Sequence, residues 1–415
     1  MKIAILGYGK EGQCAESWLS KRYSSADFTI FDHFEIRDLA RFRLDDFDFI
    51  VRTPSVSPHE IAQVAPNAQI TSVTKLFFEH CPCQIIGITG TKGKGTTASM
   101  ARDLLENINQ KVWLVGNIGT PALDILDQIH KTDIAIYELS SFQLWDLEQS
   151  PHIAVILRIE PDHLNVHNNY MDYVTAKTNI AKWQTSQDYC IYYSKNADSK
   201  QIAAVSAGQK ITYPLANPSI AALVNELNVV GEHNKENAEA AILATAAALN
   251  IDLDTLLKKY SPEITEALQK FKGLPHRLEF ICEKDSVKYY DDSFSSAFPA
   301  MNVAIDTFAD HPTIIIAGGL DRGLDLTSAK QKLFHSHNIK KVILIGQTKA
   351  KLAEGEDETK FILAHDLFEA VRLAQKEAEN YSNSIVLLSP GAASFDMFQN
   401  FEERGKKFQE IVLGL

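Results

Sequence analysis

The sequence has 415 residues, of which 45% are hydrophobic and 23% are charged. This balance is typical of a folded globular protein, and the length allows about two to four domains. The formal net charge of -12 argues against a nucleic-acid partner held by phosphate attraction. Five cysteines do not make a disulfide framework in a chain this long, and no apolar run reaches the length of a membrane span. We therefore expect a cytoplasmic protein without nucleic-acid or membrane partners.

The N-terminal region begins with a strand, Lys2–Leu6, and a glycine-rich turn. The turn, residues 7–12 with the sequence GYGKEG, fits the pattern GxGxxG. Asp32 ends the next strand, about 20 positions after the glycines, as in the dinucleotide-binding fingerprint. The glycines specify only the close approach of backbone to phosphate, so NAD and another nucleotide diphosphate both remain open. Thr53 and Pro54 open a turn at the end of the third strand, where ligands of parallel sheets bind.

A second glycine-rich turn, residues 90–95 with the sequence GTKGKG, follows another apolar strand and precedes a helix. Backbone N–H groups in such a turn converge on phosphate oxygens, and Lys94 adds a full positive charge. The pattern GxxxxGK(S/T) is met imperfectly, because Gly87 stands one position too early and Gly95 replaces the hydroxyl residue. Thr96 is the nearest hydroxyl for Mg²⁺. The turn predicts a phosphate site, and the alternative is an ordinary loop between strand and helix.

Polar residues follow two further buried strands. Glu138 ends one of them, and a carboxylate beside a phosphate loop is well placed to hold Mg²⁺ directly or through water. Asp162 and His163 follow the next strand. A single histidine is more often structural, but this position at the sheet edge makes His163 a catalytic candidate. Asn234 precedes an alanine-rich helix, Ala238–Leu249, and either caps that helix or reads a nucleobase edge through its amide.

Strand and helix signals alternate along the whole chain, which predicts α/β layers with parallel sheets. The pattern restarts after the run GLPHR at residues 273–277. Four further buried strands are expected at Ser286–Tyr290, Thr313–Ala317, Lys341–Ile345 and Ser384–Leu388.

Six motifs taken together resemble the Mur ligases, the ATP-dependent amide-forming enzymes of peptidoglycan precursor assembly. Any one of them is weak, but they occur in family order over most of the chain. The motifs are Gly90–Lys94, Gly116–Gly119, Glu138–Leu144, Asp162-His163, Gly231 with His233, Asn234 and Asn237, and Gly273–Arg277. Within the family, the run from Leu388 to Gly405 is most similar to the members that add D-glutamate.

The resemblance implies three domains and a monomer. Residues 1–84 would form a Rossmann-like domain that binds the UDP end of the muropeptide, which favours UDP over NAD at the first turn. Residues 85–272 would form a P-loop-type ATPase domain. Residues 273–415 would form a second Rossmann-like domain, which closes over ATP and brings the incoming amino acid.

The resemblance also implies roles for individual residues. ATP would contact Gly90, Thr91, Lys92, Gly93, Lys94, Gly95, Thr96, Asn234, Asn237, Arg277 and Asp292. The UDP substrate would contact Gly7, Lys10, Glu11, Asp32, Thr53, Pro54 and Asn117. D-glutamate would contact Ser296, Arg322, Ser394 and Phe401. The catalytic set would be Lys94, Glu138, His163 and Lys177. Two Mg²⁺ ions are expected on Thr96, Glu138, His163 and a carbamylated Lys177.

Three departures from the family pattern bear on these roles. Gly95 removes a hydroxyl, Lys92 adds a cation, and Phe294 stands where the D-glutamate-adding members have lysine. Two rivals stay open, a Mur-type or folylpolyglutamate-type ligase with another acceptor and a catalytically weakened nucleotide-binding relative, of which the second is supported only by Gly95 and Phe294. A nicotinamide oxidoreductase is disfavoured, because it leaves the second glycine turn and Glu138 unexplained.

Overall fold

The computed structural model describes residues 1–164 and 166–415, and the chain divides into two compact units. The first unit comprises Met1–Asn228 with Glu232–Phe271, and the second comprises Val229–Gly231 with Lys272–Leu415. The first unit contains two sheets and the second unit contains one.

The first sheet has four parallel strands in the order β2-β1-β3-β4. Its strands are β1 Lys2–Leu6, β2 Asp27–Phe31, β3 Phe49–Arg52 and β4 Ile70–Ser72. Its helices are α1 Lys10–Arg22, α2 Pro58–Val64 and α3 Val73–His80, with 3₁₀ turns at Ile36–Arg41 and Leu44–Asp46.

The second sheet has six parallel strands in the order β10-β9-β8-β5-β7-β6. Its strands are β5 Gln84–Thr89, β6 Val112–Gly116, β7 Ile134–Glu138, β8 Ile153–Ile156, β9 Tyr189–Tyr193 and β10 Gln209–Tyr213. Its helices are α4 Lys94–Asn107, α5 Ala122–Ile125, α6 Ser141–Leu144, α7 Tyr170–Lys182, α8 Ala197–Ala204, α9 Pro218–Asn225, α10 Glu232–Ala248 and α11 Leu253–Lys270.

The third sheet, in the second unit, has the order β11-β12-β16-β13-β14-β15. Its strands are β11 Glu279–Lys284, β12 Val287–Asp291, β13 Thr313–Ala317, β14 Ile339–Leu344, β15 Phe361–Leu363 and β16 Ser384–Leu388. Its helices are α12 Phe298–Thr307, α13 Thr327–His335, α14 Lys349–Ala353, α15 Leu367–Ala378 and α16 Phe401–Leu413. The pairing of β11 with β12 is antiparallel, and the other pairings are parallel.

The interiors of the central strands are apolar, as is typical of a parallel sheet whose faces are covered by helices. In β5, the five residues from Ile85 to Thr89 are all buried. One hydrophobic cluster runs from the first sheet into the second, and the rings of Phe77 and Phe78 pack on Tyr137 at 5.3 and 5.9 Å. This packing fixes the edge of β7 that ends in Glu138.

The expected α/β fold with Rossmann-like sheets is confirmed, while the domain boundaries at residues 84 and 272 stay predictions. Of the two roles considered for Asn234, capping of the alanine-rich helix is excluded, because α10 already begins at Glu232 and places Asn234 in its first turn. Within the described ranges, no single helix is long and apolar enough to cross a membrane; only α10 and α11 together, bent by 111°, have that length and composition.

Candidate active site

The turn between β5 and α4, Gly90–Gly93, is called the phosphate loop below. Gly93 has φ +85°, and a Cβ atom there would lie 2.5 Å from Oδ1 of Asn237. A side chain at Gly93 is therefore disfavoured both by the strain of a positive φ and by a clash with the Asn237 side chain. Lys94 begins α4, and its Nζ donates to the carbonyl oxygens of Gly90 at 3.1 Å and Thr91 at 3.2 Å. The ammonium thus lies folded over the loop.

The phosphate loop is fastened to the segment that follows β8. The N–H of Thr91 donates to the carbonyl of Arg158 at 2.9 Å. The Thr91 hydroxyl bonds to both backbone groups of Glu160 and lies 2.9 Å from the hydroxyl of Tyr173 in α7. Lys92 is exposed, and its Nζ lies 3.6 Å from a carboxylate oxygen of Asp162. These bonds bring the predicted residues at the ends of β5 and β8 together.

Lys177 lies under the start of the phosphate loop. Its side chain is 1% exposed, and its Nζ donates to Oγ1 of Thr89 at 3.2 Å and to the carbonyl of Gly90 at 3.0 Å. Burial holds the pKa of this amine well below its usual value, and the charge on Lys94 lowers it further. The site therefore favours a neutral amine at Lys177.

Glu138 and His163 stand on either side of this loop. Glu138 ends β7 as a buried carboxylate, directly opposite Ile88 in the neighbouring strand. His163 is about half exposed, and its Nε2 lies 3.8 Å from Asp162. Burial lowers the pKa of His163, and Lys94, Lys177 and Lys92 lower it further against the opposing charge of Asp162. A neutral imidazole is the form that binds metals.

Asn234 and Asn237 lie one helical turn apart at the start of α10. Nδ2 of Asn237 lies 3.4 Å from Oδ1 of Asn234. Asn237 is buried against Gly93, so this part of α10 borders the phosphate loop as the predicted nucleotide site requires. Gly95 is buried inside α4, and the Thr96 hydroxyl group, also buried, lies one residue further along the same helix.

The first glycine loop, Gly7–Gly12, has a different environment. The N–H of Tyr8 donates to Oδ1 of Asp32 at 3.0 Å, so the loop and the carboxylate of the fingerprint are in contact. Gly7 has φ +88°, and a Cβ there would lie 2.3 Å from Oγ1 of Thr53. Gln143 of α6 donates to Oε1 of Glu11 at 3.0 Å. Burial raises the pKa of Glu11.

The other residues predicted to bind the UDP substrate lie on exposed or turn segments. Lys10 is exposed at the start of α1, and Pro54 follows Thr53 in the turn after β3. Asn117 is exposed in the turn between Gly116 and Gly119, both of which have positive φ. In addition, the structure reveals a buried guanidinium beside this region that sequence reasoning missed. Arg52 pairs with Asp146 and donates to the carbonyl of Phe142 at 3.0 Å.

In the second unit, the predicted ATP residues Arg277 and Asp292 occupy adjacent loops. Asp292 is buried and accepts hydrogen bonds from the Ser389 hydroxyl at 2.7 Å and the N–H of Leu278 at 3.2 Å. Burial raises the pKa of Asp292 to about 7. The guanidinium carbon of Arg277 lies 4.3 Å above the ring centre of Phe294, a cation–π contact. Phe294, one of the departures from the family pattern, is therefore an aromatic platform for Arg277.

The predicted amino-acid residues lie around the same loops. The ring of Phe294 meets that of Phe401 edge-on at 5.1 Å. Ser394 is buried, whereas Ser296 and Arg322 are exposed. The structure thus brings Phe401 next to Phe294 and Arg277.

Two buried groups that sequence reasoning did not single out hold these loops. Arg404 of α16 is 1% exposed and donates to the carbonyls of Ser293 at 2.8 Å and Ala392 at 3.0 Å. His276 lies 2.7 Å from Asp291, and this hydrogen bond raises the pKa of His276. A buried arginine among the apolar positions of α16 was the available signal for Arg404.

The chain is similar in sequence to known proteins. The family model described as Mur ligase middle domain matches residues 88–226. The UDP-N-acetylmuramoylalanine--D-glutamate ligase of Clostridium tetani is 32% identical over 92% of this chain and 86% of its own length. The enzyme of the same name from Acetivibrio thermocellus is 32% identical over 99% and 96%.

The fold is also shared with a solved structure. The UDP-N-acetylmuramoylalanyl-D-glutamyl-2,6-diaminopimelate--D-alanyl-D-alanyl ligase of Acinetobacter baumannii superposes with a TM-score of 0.61 at 18% identity. That alignment covers 90% of this chain and 92% of the other. At such low identity it shows the fold alone.

Proposed function

Because this chain belongs to the Mur ligase family, we propose that it joins D-glutamate to UDP-N-acetylmuramoyl-L-alanine. ATP-dependent amide-bond formation in peptidoglycan precursor synthesis is the activity of the family. The acceptor is the proposed part, supported by relatives named as D-glutamate ligases that match over nearly the whole chain. The observation that carries the ATP chemistry is the meeting of Lys94, Lys177 and Asn237 at the phosphate loop.

The proposed reaction has two steps. The terminal carboxylate of the muropeptide attacks the γ-phosphate of ATP, which gives an acyl phosphate and ADP. The amine of D-glutamate then attacks the acyl carbon, and phosphate leaves through a tetrahedral intermediate. In this proposal the charge of Lys94, which lies folded over the phosphate loop, would stabilise the transferring phosphoryl group, and the N–H groups of the loop would hold the phosphate oxygens.

The residues present fit Mg²⁺. The carboxylate of Glu138 and the hydroxyl of Thr96 are the hard oxygen donors that Mg²⁺ prefers, and His163 offers a neutral imidazole. When bound, Mg²⁺ would neutralise charge on the phosphate oxygens. Glu138 and Thr96 would hold one ion, and His163 a second with the carbamate of Lys177.

Carbamylation of Lys177 is part of the proposal. A neutral amine attacks CO₂ and releases a proton, so a lysine with a lowered pKa is the suitable nucleophile. The product is an anion beside the phosphate loop in place of a neutral amine. The test is ¹³CO₂ labelling with carbon NMR, where a carbamate signal that is lost in Lys177→Met supports the assignment. A signal that persists in this variant contradicts it.

The acceptor is tested by phosphate release from ATP with UDP-N-acetylmuramoyl-L-alanine and a panel of D- and L-amino acids. Stimulation by D-glutamate alone supports the proposal. Stimulation by another amino acid keeps the ligase and moves the acceptor, which includes the folylpolyglutamate-type rival. ATP binding without stimulation by any of them would favour a catalytically weakened relative. The expected monomer and cytoplasmic location stay predictions.

Phe294 provides a second variant for this assay. Phe294→Lys would place a like charge against Arg277, so we expect the KM for ATP to rise by about tenfold. Phe368→Lys is the matched control, because Phe368 also lies under an arginine, Arg372, at 5.4 Å. Equal effects of both substitutions would mean that the Phe294 platform does not serve the ATP site.

A further inference from the structure

The thiols of Cys81 and Cys83 face each other on the connection from α3 to β5. Their Sγ atoms are 3.5 Å apart, with only Pro82 between the two residues. Cys81 is partly exposed, whereas Cys83 is buried, with 3% of its surface exposed. The connection joins the last helix of the first sheet to the strand that leads directly into the phosphate loop.

This pair does not have the surroundings of a metal site. Zinc in proteins takes four ligands, of which two thiols supply only half. Among the described residues, a group of three or more His, Cys, Asp or Glu side chains close enough to share an ion occurs only at His276, Glu279 and Asp291. That group is in the second unit. Nothing in the described part of the chain therefore supports a metal role for the two thiols.

The two thiols are unequal. A hydrogen bond between them lowers the pKa of the Cys81 thiol and raises that of the Cys83 thiol. The thiolate is the form that reacts with oxidants, and the partly exposed sulfur is the one that an oxidant can reach. Cys81 is therefore suited to react first, and Cys83 to resolve the product.

We propose that Cys81 and Cys83 form a reversible disulfide when the protein meets a hydroperoxide. The Cys81 thiolate attacks the outer peroxide oxygen and the O–O bond breaks, which leaves a sulfenic acid and an alkoxide that takes up a proton. The Cys83 sulfur then attacks the Cys81 sulfur, the S–O bond breaks, and water leaves with the Cys83 proton. Two thiols and one hydroperoxide give one disulfide, one alcohol and one water.

The geometry permits this bond. The sulfur atoms must approach from 3.5 Å to about 2.05 Å, which side-chain rotation at two neighbouring residues can provide. The other cysteines are less reactive. Burial raises the pKa of the thiols of Cys14, Cys190 and Cys282, so these thiols ionise less readily than that of Cys81. The proposal is independent of the ligase reaction, because its readout is the mass of the chain.

The experiment treats the full chain with one equivalent of hydrogen peroxide, alkylates the remaining thiols and maps the peptides by mass spectrometry. We expect the peptide that contains Cys81 and Cys83 to lose two hydrogens and both alkylation sites, and dithiothreitol to restore them. Mapping the wild-type chain needs no variant and is unaffected by any folding defect.

Three variants sharpen the result. Cys81→Ser and Cys83→Ser should each abolish the loss of two hydrogens, whereas Cys282→Ser, the control at another partly buried cysteine, should keep it. Conversion of Cys81 to a sulfinic acid without loss of the Cys83 thiol would overturn the proposal. Disulfide-linked dimers on a non-reducing gel, in place of the internal bond, would overturn it as well.

Discussion

The two glycine loops of the first unit have the same local design and opposite charge. Each follows an interior strand of a parallel sheet, and each precedes a helix that begins at a lysine, Lys10 in α1 and Lys94 in α4. Lys10 is exposed, whereas Nζ of Lys94 bonds to two carbonyls of its own loop. The first loop bonds instead to the carboxylate of Asp32.

This difference indicates that the glycine spacing sets the backbone conformation of each loop. The charged side chains around the loop then determine which ligand group it suits. The phosphate loop contains Lys92, and the ammonium of Lys94 lies folded over it. The first loop has the acids Glu11 and Asp32. A cationic site suits phosphoryl transfer, and a site with a carboxylate suits the hydroxyl groups of a ribose.

The largest expected effect separates the two lysines. Lys94→Ala should lower kcat by about 10²–10³-fold or more, because a charge on the transferring phosphoryl group is lost. Lys10→Ala should raise the KM for the UDP substrate by less than about fivefold, as for an exposed charge. Steady-state phosphate release measures both. Equal losses would break the comparison, and retained turnover in Lys94→Ala would refute its role.

The glycines provide the next comparison. Gly93→Ala should weaken ATP binding by about tenfold or more, because φ +85° costs an L residue roughly 1–2 kcal/mol and the new Cβ displaces Asn237. Gly9→Ala is the matched control, since a Cβ there meets no atom within 4 Å. Calorimetric titration with a non-hydrolysable ATP analogue measures both. An unchanged affinity in Gly93→Ala would argue against the close contact with Asn237.

Asp32 tests the acidic side of the comparison. Asp32→Asn keeps an oxygen for the N–H of Tyr8 but removes the charge, so the KM for the UDP substrate should rise by about tenfold. The KM for ATP should stay unchanged. Asp27→Asn, at the exposed opposite end of β2, should alter neither constant. A rise in the KM for ATP would show that the two loops do not act separately.

The smallest expected effect concerns pH. Burial raises the pKa of Glu11 above 4.5, so the native state binds its proton more tightly than the unfolded state does. This contribution to stability is fully present below pH 4.5 and is lost as pH rises through the native pKa. As pH rises from 4.5 through the native pKa, the free energy of unfolding, measured with urea, should therefore decrease less in Glu11→Gln than in the wild type. An unchanged pH profile would contradict burial of the Glu11 carboxyl group.

The sequence allowed the fold class and the strand ends to be predicted, because both depend on local patterns. Lys94 and Glu138 stand where the strand–loop–helix pattern predicts them. Lys177 has no local signal, since its role depends on burial between α7 and the phosphate loop, and only the family resemblance pointed to it. The start of α10 was misplaced because Glu232 to Asn237 are polar and resemble a loop.

Arg404 and His276 show the same limit. Arg404 bonds to Ser293 and Ala392, and His276 bonds to Asp291. None of these partners lies in the same helix or turn as the residue that it bonds. A buried polar group is stabilised by the partners that folding brings to it, and spacing along one helix does not reveal them. The cation–π contact of Arg277 with Phe294 likewise becomes visible only when both loops are in place.

The sheet order of the first unit determines when the contacts of the phosphate loop can form during synthesis. β5 lies between β7 and β8, and the phosphate loop also depends on Thr91 contacts after β8, on Lys177 and on Asn237. A nascent chain that ends just after β5 therefore contains the phosphate loop but lacks the residues that pack around it. Since chains emerge from the N-terminus, nucleotide cannot help the early nascent chain to fold. We therefore expect the phosphate loop to reach its final conformation only after Asn237 has been synthesised.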